Sequence, residues 1–587
     1  MTGDPDAASE RSVDPVTLEV LRNACTAVAE EMNATLVRTA HSPNITDRRD
    51  CSCALFDPAG AMISQAENIP VHLGAMPHSV AAALDAFPPD TLDPGDAVLL
   101  NDPYAGGAHL PDLTLVAPIH AEGELVAIAA NRAHHADVGG ATAGSIAADA
   151  TEIYAEGVRI PPVKLYEGGD RNEAVADLLS ANVRTPGERR GDLRAQHAAN
   201  GTARERVGEI VDRYGRRLVA EALDAIQDYS AKRMRAAIAE LPEGRYRFED
   251  VLDGDGCGGG PVTIAATVTI EDERIGVDFS GTDEQVPGAL NAPIAVTTSA
   301  TYYAVRCVTD PEIPPNAGCY RPVEVDAPAG TVVNAEPPAA VVGGNLEVSQ
   351  RVVDVLFGAF AEAVPGRVAA AGQGTMNNLT FGGTDPRDGE PFAFYETGGG
   401  GFGGRAGADG MDGVHVHMSN TRNTPAEVLE TAYPLRVRRY ALRPDSGGAG
   451  EFRGGLGLRR DIEARAEVTC SLLADRRDHA PYGIAGGEPG APGEDYLLGG
   501  PDSREGGAPD SDEGTARLDP MSTHDLEPGE TVSIRTPGGG GYGDPADRAG
   551  ERIARDLRLG KITEARVREA YGADPGEADD GTTATGE

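Results

Sequence analysis

Residues 101–140 read NDPYAGGAHLPDLTLVAPIHAEGELVAIAANRAHHADVGG. Two apolar runs, 113–119 and 125–130, are joined by a short polar connection that contains glycine, which is the pattern of a strand pair. Pairing them brings the flanking segments, 101–112 and 131–140, to one end of a sheet. Those segments carry His109, His134 and His135 together with Asp102, Asp112 and Asp137. Imidazole and carboxylate in one place suit Mn, Zn, Fe or Ni better than Ca or Mg, and three protein ligands leave a position for water or substrate. Adjacent residues on an extended segment face opposite ways, so only one of His134 and His135 ligates with ease. Polar loop and helix-cap roles fit the same histidines. Asp102 fits a ligand, a ligand's hydrogen-bond partner or an Asx turn.

Upstream, Asp14-Pro15 reads as an N-cap followed by proline in the first helical turn, and Val20, Ala24, Val28, Met32 and Leu36 lay one apolar face along a helix ending near 38–41. Asp57-Pro58-Ala59-Gly60 marks a turn between strands, 77–87 suits a helix, and 97–100 a further strand. Downstream, 202–240 reads as one long charged helix, 262–279 as a hairpin and 346–364 as a helix. Short strands and glycine turns follow from Tyr433. The fold class expected is mixed α/β (α+β), a large multi-layer assembly with β-rich parts. Expected divisions are a disordered tail over 1–13, a catalytic region over 14–465, a β-rich C-terminal region over 466–571 and an acidic tail over 572–587. Residues 486–518, rich in Gly, Pro and acid, read as a disordered insertion.

Several function classes are disfavoured by composition. The 587 residues carry 51 Lys+Arg against 93 Asp+Glu, a net charge of −42, and lysine occurs only at 164, 232 and 561. Phosphate backbones and anionic membranes need clustered positive charge, so neither nucleic acid nor membrane is an expected partner. Solubility at high salt is a natural use of such a surface. No glycine cluster reads GxxxxGK[ST], and no GxSxG elbow occurs. Gly398–Gly404 suits either close backbone approach to a ligand or a flexible turn. Seven scattered cysteines do not make a disulfide framework. No apolar run reaches ~18 residues, and 1–14 lacks the basic and apolar regions of a signal peptide, so a cytoplasmic protein is expected. His415-Val416-His417 would place both rings on one face of a strand, and His72 is either packed or lines a site.

Ten stretches, in order over about 14–460, resemble the hydantoinase B/oxoprolinase family. They include DPVTLEVLRN (14–23), RTAHSPNITDRRDCSCALFD (38–57), IPVHLGAMPHSV (69–80), NDPYAGGAHLPDLTLV (101–116), NRAHHADVGG (131–140), TEIYAEGVRIPPVKLY (151–166), GNLEVSQR (344–351) and HVHMSNTRNTPAEVLE (415–430). The resemblance implies a B-type subunit of an ATP-dependent N-methylhydantoinase or 5-oxoprolinase-like hydrolase. It would be paired in a hetero-oligomer with an A-type ATPase that phosphorylates the carbonyl oxygen of a cyclic amide. It further implies a divalent first-row metal (Mn, Zn or Fe) on His109, Asp112 and His134, with ATP on the partner. Arg132 would hold developing negative charge, and Asp102 or Asp137 would serve as general base. Glu152 and Glu156 are weaker site candidates. The alternatives are a B-like chain of an acetone-carboxylase-type enzyme and a non-catalytic scaffold.

Overall fold

A computed structural model describes residues 13–66, 68–499 and 515–575. The tails expected at 1–13 and 572–587 and the centre of the expected insertion, 500–514, lie almost wholly outside the described residues.

The mixed α/β architecture is organised around one antiparallel sheet. Its strands are β1 (Cys51–Phe56), β2 (Met62–Gln65), β3 (Ala97–Leu100), β4 (Asp112–Ala121), β5 (Glu124–His134), β6 (Val163–Glu167) and β7 (Asp170–Arg171). They lie in the order β2-β1-β5-β4-β3-β6-β7. β4 and β5 form the hairpin expected from the two apolar runs, turning at Glu122 and Gly123 with φ of 54° and 82°. Both strands are longer than the apolar runs, because β4 begins at Asp112 and β5 ends at His134.

Each face of this sheet is covered by helix. The Pro15–Thr39 helix is capped by Asp14, whose carboxylate accepts from the Val16 and Thr17 N–H groups, and buries Val28, Met32 and Leu36. With the Pro186–Tyr214 helix it packs on Cys51, Cys53, Ala129 and Ala133. The Pro70–Ala86 helix lays Met76, Val80 and Ala83 on the opposite face, against Ala54, Phe56, Val116 and Ala130.

Three helices differ from expectation for local reasons. The single helix over 202–240 is two, Pro186–Tyr214 and Arg216–Ile238, because Gly215 sits at φ 81° and ends the first. The helix expected over 77–87 begins seven residues earlier, with Pro70 in its first turn and Pro77 inside it. A helix-interior proline normally reads as a start, and here it does not. The helix expected over 346–364 begins as one π-helical turn, Gly344–Val348, before Ser349–Ala363.

Three further sheets complete the fold. One joins Gly244–Leu252, Val262–Glu271, Arg274–Asp278 and Val323–Asp326, with the expected hairpin at its centre. Another joins Pro391–Glu396, Asn378–Thr384, Val468–Leu473 and Met521–Leu526, drawing strands from both sides of position 465. The third contains Glu494–Leu498 and Thr515–Arg517, so part of the glycine- and proline-rich stretch is strand, not disorder.

The glycine clusters meet in one place without helix or ladder. Gly401 N–H donates to Pro537 O, Gly404 N–H to Gly540 O, Gly455 N–H to Phe402 O and Gly539 N–H to Gly455 O, at 2.8–3.0 Å. A Cβ on Gly401 would lie 2.1 Å from Gly455 O, and one on Gly539 would lie 2.2 Å from Phe402 O. Backbone therefore packs on backbone here, and neither a ligand cradle nor a flexible turn describes it. Among the described residues no helix is long and apolar enough to cross a membrane.

Candidate functional site

Strand register assembles the centre. Asp112 on β4 is the cross-strand partner of His134 on β5, and Thr114 is the partner of Arg132 one step further in. With a period of two, all four side chains share the face covered by the 70–86 helix. His109 precedes β4 by one tight turn, in which Asp112 N–H donates to His109 O. β1 lies on the other side of β5, and His134 N–H donates to Asp50 O. One row across three strands therefore carries Asp50, His134 and Asp112.

The distances are short. His109 Nε2 lies 3.0 Å and His134 Nδ1 lies 3.3 Å from Asp112 Oδ1, and the two ring nitrogens are 3.2 Å apart. Candidate ligand atoms of the three residues all lie within 4.8 Å of one another, and all three side chains are buried. His109 Nδ1, His134 Nε2 and Asp112 Oδ1 have no well-directed hydrogen-bond partner. Buried polar atoms are ordinarily satisfied, and here the outward ring nitrogens stay unpaired while His109 Nε2, His134 Nδ1 and Asp112 Oδ1 crowd together; two imidazoles and a carboxylate this close suit a first-row divalent metal. The other carboxylate oxygen, Asp112 Oδ2, faces His72 Nε2 at 3.3 Å and Asn345 Nδ2 at 3.5 Å. His72 Nε2 is also 3.8 Å from Asp50 Oδ1. Burial alone would raise the Asp112 carboxyl. The charges of His109 and His72, with the His109 and His134 ring nitrogens close by, outweigh that and hold it well below the usual carboxylate range.

His134 and His135 part company as an extended segment requires. The His134 ring stacks on Tyr395 at 4.6 Å, and burial lowers its pKa. His135 points to the other face, where its Nε2 lies 2.9 Å from Gln196 Oε1 on the 186–214 helix, and burial pushes it down to about 4. Arg132 is fully buried; it donates to Thr114 Oγ1 and Ser79 Oγ, and Nη1 has no partner. Burial lowers its pKa against the pull of Asp112.

The two carboxylates considered as general bases serve loops. Asp102 accepts from Tyr104 N–H and faces Arg159 at 3.5 Å, the Asx-turn arrangement. Asp137 accepts from the N–H groups of Gly139, Gly144 and Arg184 and from Arg184 Nη1, which occupies both of its oxygens. Glu152 is exposed. Glu156 is buried at the end of a 3-10 turn, so the two do not share a helix face, and it accepts from Val341 and Val342 N–H at 2.8 Å. His415 pairs with Ser419 Oγ, and His417, at φ 48°, lies 3.5 Å from Asp354. No strand carries this HxH pair, and its two rings have different partners.

A small cavity of about 20 Å³, room for about one water, opens beside the metal-type set. Asp50, His72, His134 and Asn345 line one part of it, Ile69, Val71, Leu346, Met376 and Met418 give apolar walls, and Tyr395, Thr397, Ser419 and Thr421 complete it. A larger space of about 370 Å³, lined by Tyr302, Tyr303 and Tyr320, lies across the same chain segments, reached by Asn68, Pro70 and Asn420 where Ile69, Val71 and Ser419 reach the smaller one. Spacing alone does not place His72 and Asp50 with the metal-type set. They come from a separate helix and strand, and their one signal in the sequence is position inside the stretches at 38–57 and 69–80.

The sequence profile of the Hydantoinase B/oxoprolinase family matches residues 14–545. 5-Oxoprolinase 1 of Arabidopsis thaliana is 38% identical over 561 residues, which cover 91% of this chain and 42% of that protein. A putative D-/L-hydantoinase subunit of a Pseudomonas species is 33% identical, with 96% of this chain and 95% of that protein covered. The crystal structure of an ATP-dependent caprolactamase from Pseudomonas jessenii is similar with a TM-score of 0.88 at 32% identity, covering 96% of this chain and 97% of that one.

Proposed function

The chain belongs to the hydantoinase B/oxoprolinase family, and on that premise we propose that it opens the ring of a cyclic amide after a separate A-type chain has phosphorylated the carbonyl oxygen with ATP. The observation that carries this reading is the convergence of His109, Asp112 and His134, with His134 lining a small cavity of mixed polar and apolar walls. The similarity to an ATP-dependent caprolactamase and to a protein named as one subunit of a hydantoinase supports it. The lack of any GxxxxGK[ST] in the sequence suits ATP use on another chain.

A cyclic amide resists water because its carbonyl is stabilised by resonance with nitrogen. Phosphorylation of the oxygen makes the carbon electrophilic; water adds to that carbon, the C–N bond breaks as the ring nitrogen takes a proton, and the acyl phosphate that remains is hydrolysed to carboxylate and phosphate. When bound by His109, Asp112 and His134, a divalent first-row metal (Mn, Zn or Fe) supplies Lewis acidity toward an oxygen of water or substrate. The chain's own groups do the rest. Ile69, Val71, Leu346, Met376 and Met418 give the space beside the metal-type set apolar walls that limit bulk water. His72, against Asp112 Oδ2, is placed to hold or pass a proton. Arg132, one register step behind Asp112, adds fixed positive charge. Asp102 and Asp137 position the two loops that bear the histidines.

The test is co-expression with an A-type chain and a panel of lactams, imides and hydantoins under ATP. Ring-opened product with amide-dependent ATP hydrolysis is expected. Incorporation of bicarbonate into a ketone would move the chain to the carboxylase class. Full turnover in an Asp112→Ala complex would make it a scaffold.

A further inference from the structure

Nine arginines are buried among the described residues. Seven of them, Arg189, Arg351, Arg453, Arg460, Arg476, Arg477 and Arg548, sit within 3.2 Å of a carboxylate oxygen. Arg132 and Arg48 do not, and both stand in the walls around the candidate metal centre.

Arg48 is 1% exposed. Its Nη1 donates to Asn44 Oδ1 and Tyr395 O, its Nε to Arg422 O, and its guanidinium lies over the Tyr395 ring. Its Nη2 donates to Thr397 Oγ1 at 2.8 Å and lies 3.5 Å from Thr421 Oγ1. All of these partners are neutral. A guanidinium donates and never accepts, so it fixes the polarity of the two threonines. Thr397 Oγ1 and Thr421 Oγ1 are 2.9 Å apart, and either one can donate to the other. Whichever does, one O–H remains over, and both residues line the small cavity beside the metal-type set. That part of the cavity therefore offers a hydroxyl donor in the field of a buried cation with no ion pair of its own, on a wall that it shares with the buried Asp50. A buried unpaired charge is costly until an opposite charge arrives.

We propose that Arg48, Thr397 and Thr421 form an oxyanion-binding subsite that receives a negatively charged oxygen of the substrate in the cavity beside the metal-type set. The inference rests on the ring-opening site described above. Two sources supply such an oxygen: a carboxylate carried by the cyclic amide itself, or the phosphoryl group on its activated carbonyl. No bond is made or broken in this subsite; it binds and orients.

Calorimetric titration of the metal-loaded full chain tests it, with 5-oxoproline, 2-pyrrolidinone (the same ring without the carboxylate) and inorganic phosphate as probes. One threonine can replace the other as donor, so the variant is the double one, Thr397→Val with Thr421→Val, and the double serine variant is the control. If the carboxylate is the occupant, the wild type binds 5-oxoproline at least about tenfold more tightly than 2-pyrrolidinone, the double valine variant loses that margin and the double serine variant keeps it. If the phosphoryl group is the occupant, the two lactams bind alike, while phosphate binding falls about tenfold in the double valine variant and survives in the serine one. Should the valine variant not fold, Arg48→Gln removes the charge, leaves both hydroxyls and carries the same expectation. The proposal is overturned if the wild type binds neither anion, or if the variants bind both anions as the wild type does. Binding is read on this chain without ATP or a partner, so the outcome stands apart from success or failure of coupled turnover.

Discussion

The wall of the candidate centre and the glycine-packed region are both buried and both dense in polar atoms, yet they treat those atoms oppositely. Around Gly401, Gly455 and Gly539, N–H groups meet carbonyls of neighbouring segments at 2.8–3.0 Å, and no side chain intervenes. Nearby, Arg476 is held between Asp250 and Asp354, and Arg453 between Asp412 and Asp556. Around Asp112 the reverse holds. Two histidine nitrogens and Arg132 Nη1 are left without partners, and Arg48 has only neutral ones. Arg476 and Arg453 are balanced by carboxylates of the chain itself, whereas Arg48 is not.

That contrast can be broken by experiment. The largest stability loss is expected for Arg476→Met, which strands the fully buried Asp354; removing one partner of a buried pair costs about 3–5 kcal/mol. Arg48→Met strands no carboxylate, so its urea midpoint should fall by clearly less. Equal losses would mean that Arg48 is an ordinary structural cation.

Gly539→Ala comes next. Its methyl group would meet Phe402 O at 2.2 Å, and overpacking of this kind costs about 1–3 kcal/mol. Urea melts should register that loss while metal content stays as in the wild type; a Gly539→Ala variant as stable as the wild type would show that the glycines serve flexibility.

The smallest effect concerns pH. Burial pushes the Glu156 carboxyl from 4.5 up to about 8 despite two backbone hydrogen bonds. A raised carboxyl is protonated in the fold, so its contribution is fully present below about 4.5, declines as pH rises and is gone above about 8. Glu156→Gln should flatten that part of the stability profile, as thermal melts across about pH 4–9 would reveal. An unchanged slope would place the dependence elsewhere.

Much of the sheet and the heart of the site were legible because they are local. The two apolar runs of 113–130 are consecutive, and their hairpin alone brings His109, Asp112 and His134 together. The period of two separated His134 from His135. What was not legible depends on chain brought from far away. His72 comes from a helix whose start was hidden by Pro77, and Asp50 precedes a strand that pairs with β5, far downstream in the chain. Arg48, Thr397 and Thr421 are joined only by the tertiary fold. The glycine clusters were ambiguous because glycine's small size serves turns, ligands and backbone packing alike, and composition cannot say which.

Elemental analysis of the purified wild type, His134→Ala and His135→Ala tests the central claim most directly. The wild type should hold about one first-row metal ion per chain, as a site of three protein ligands does. His134→Ala should lose it, since two remaining ligands are too few, while His135→Ala, altered on the opposite face of β5, should keep it. Full metal in His134→Ala, or loss in His135→Ala with retention in His134→Ala, would contradict the assignment.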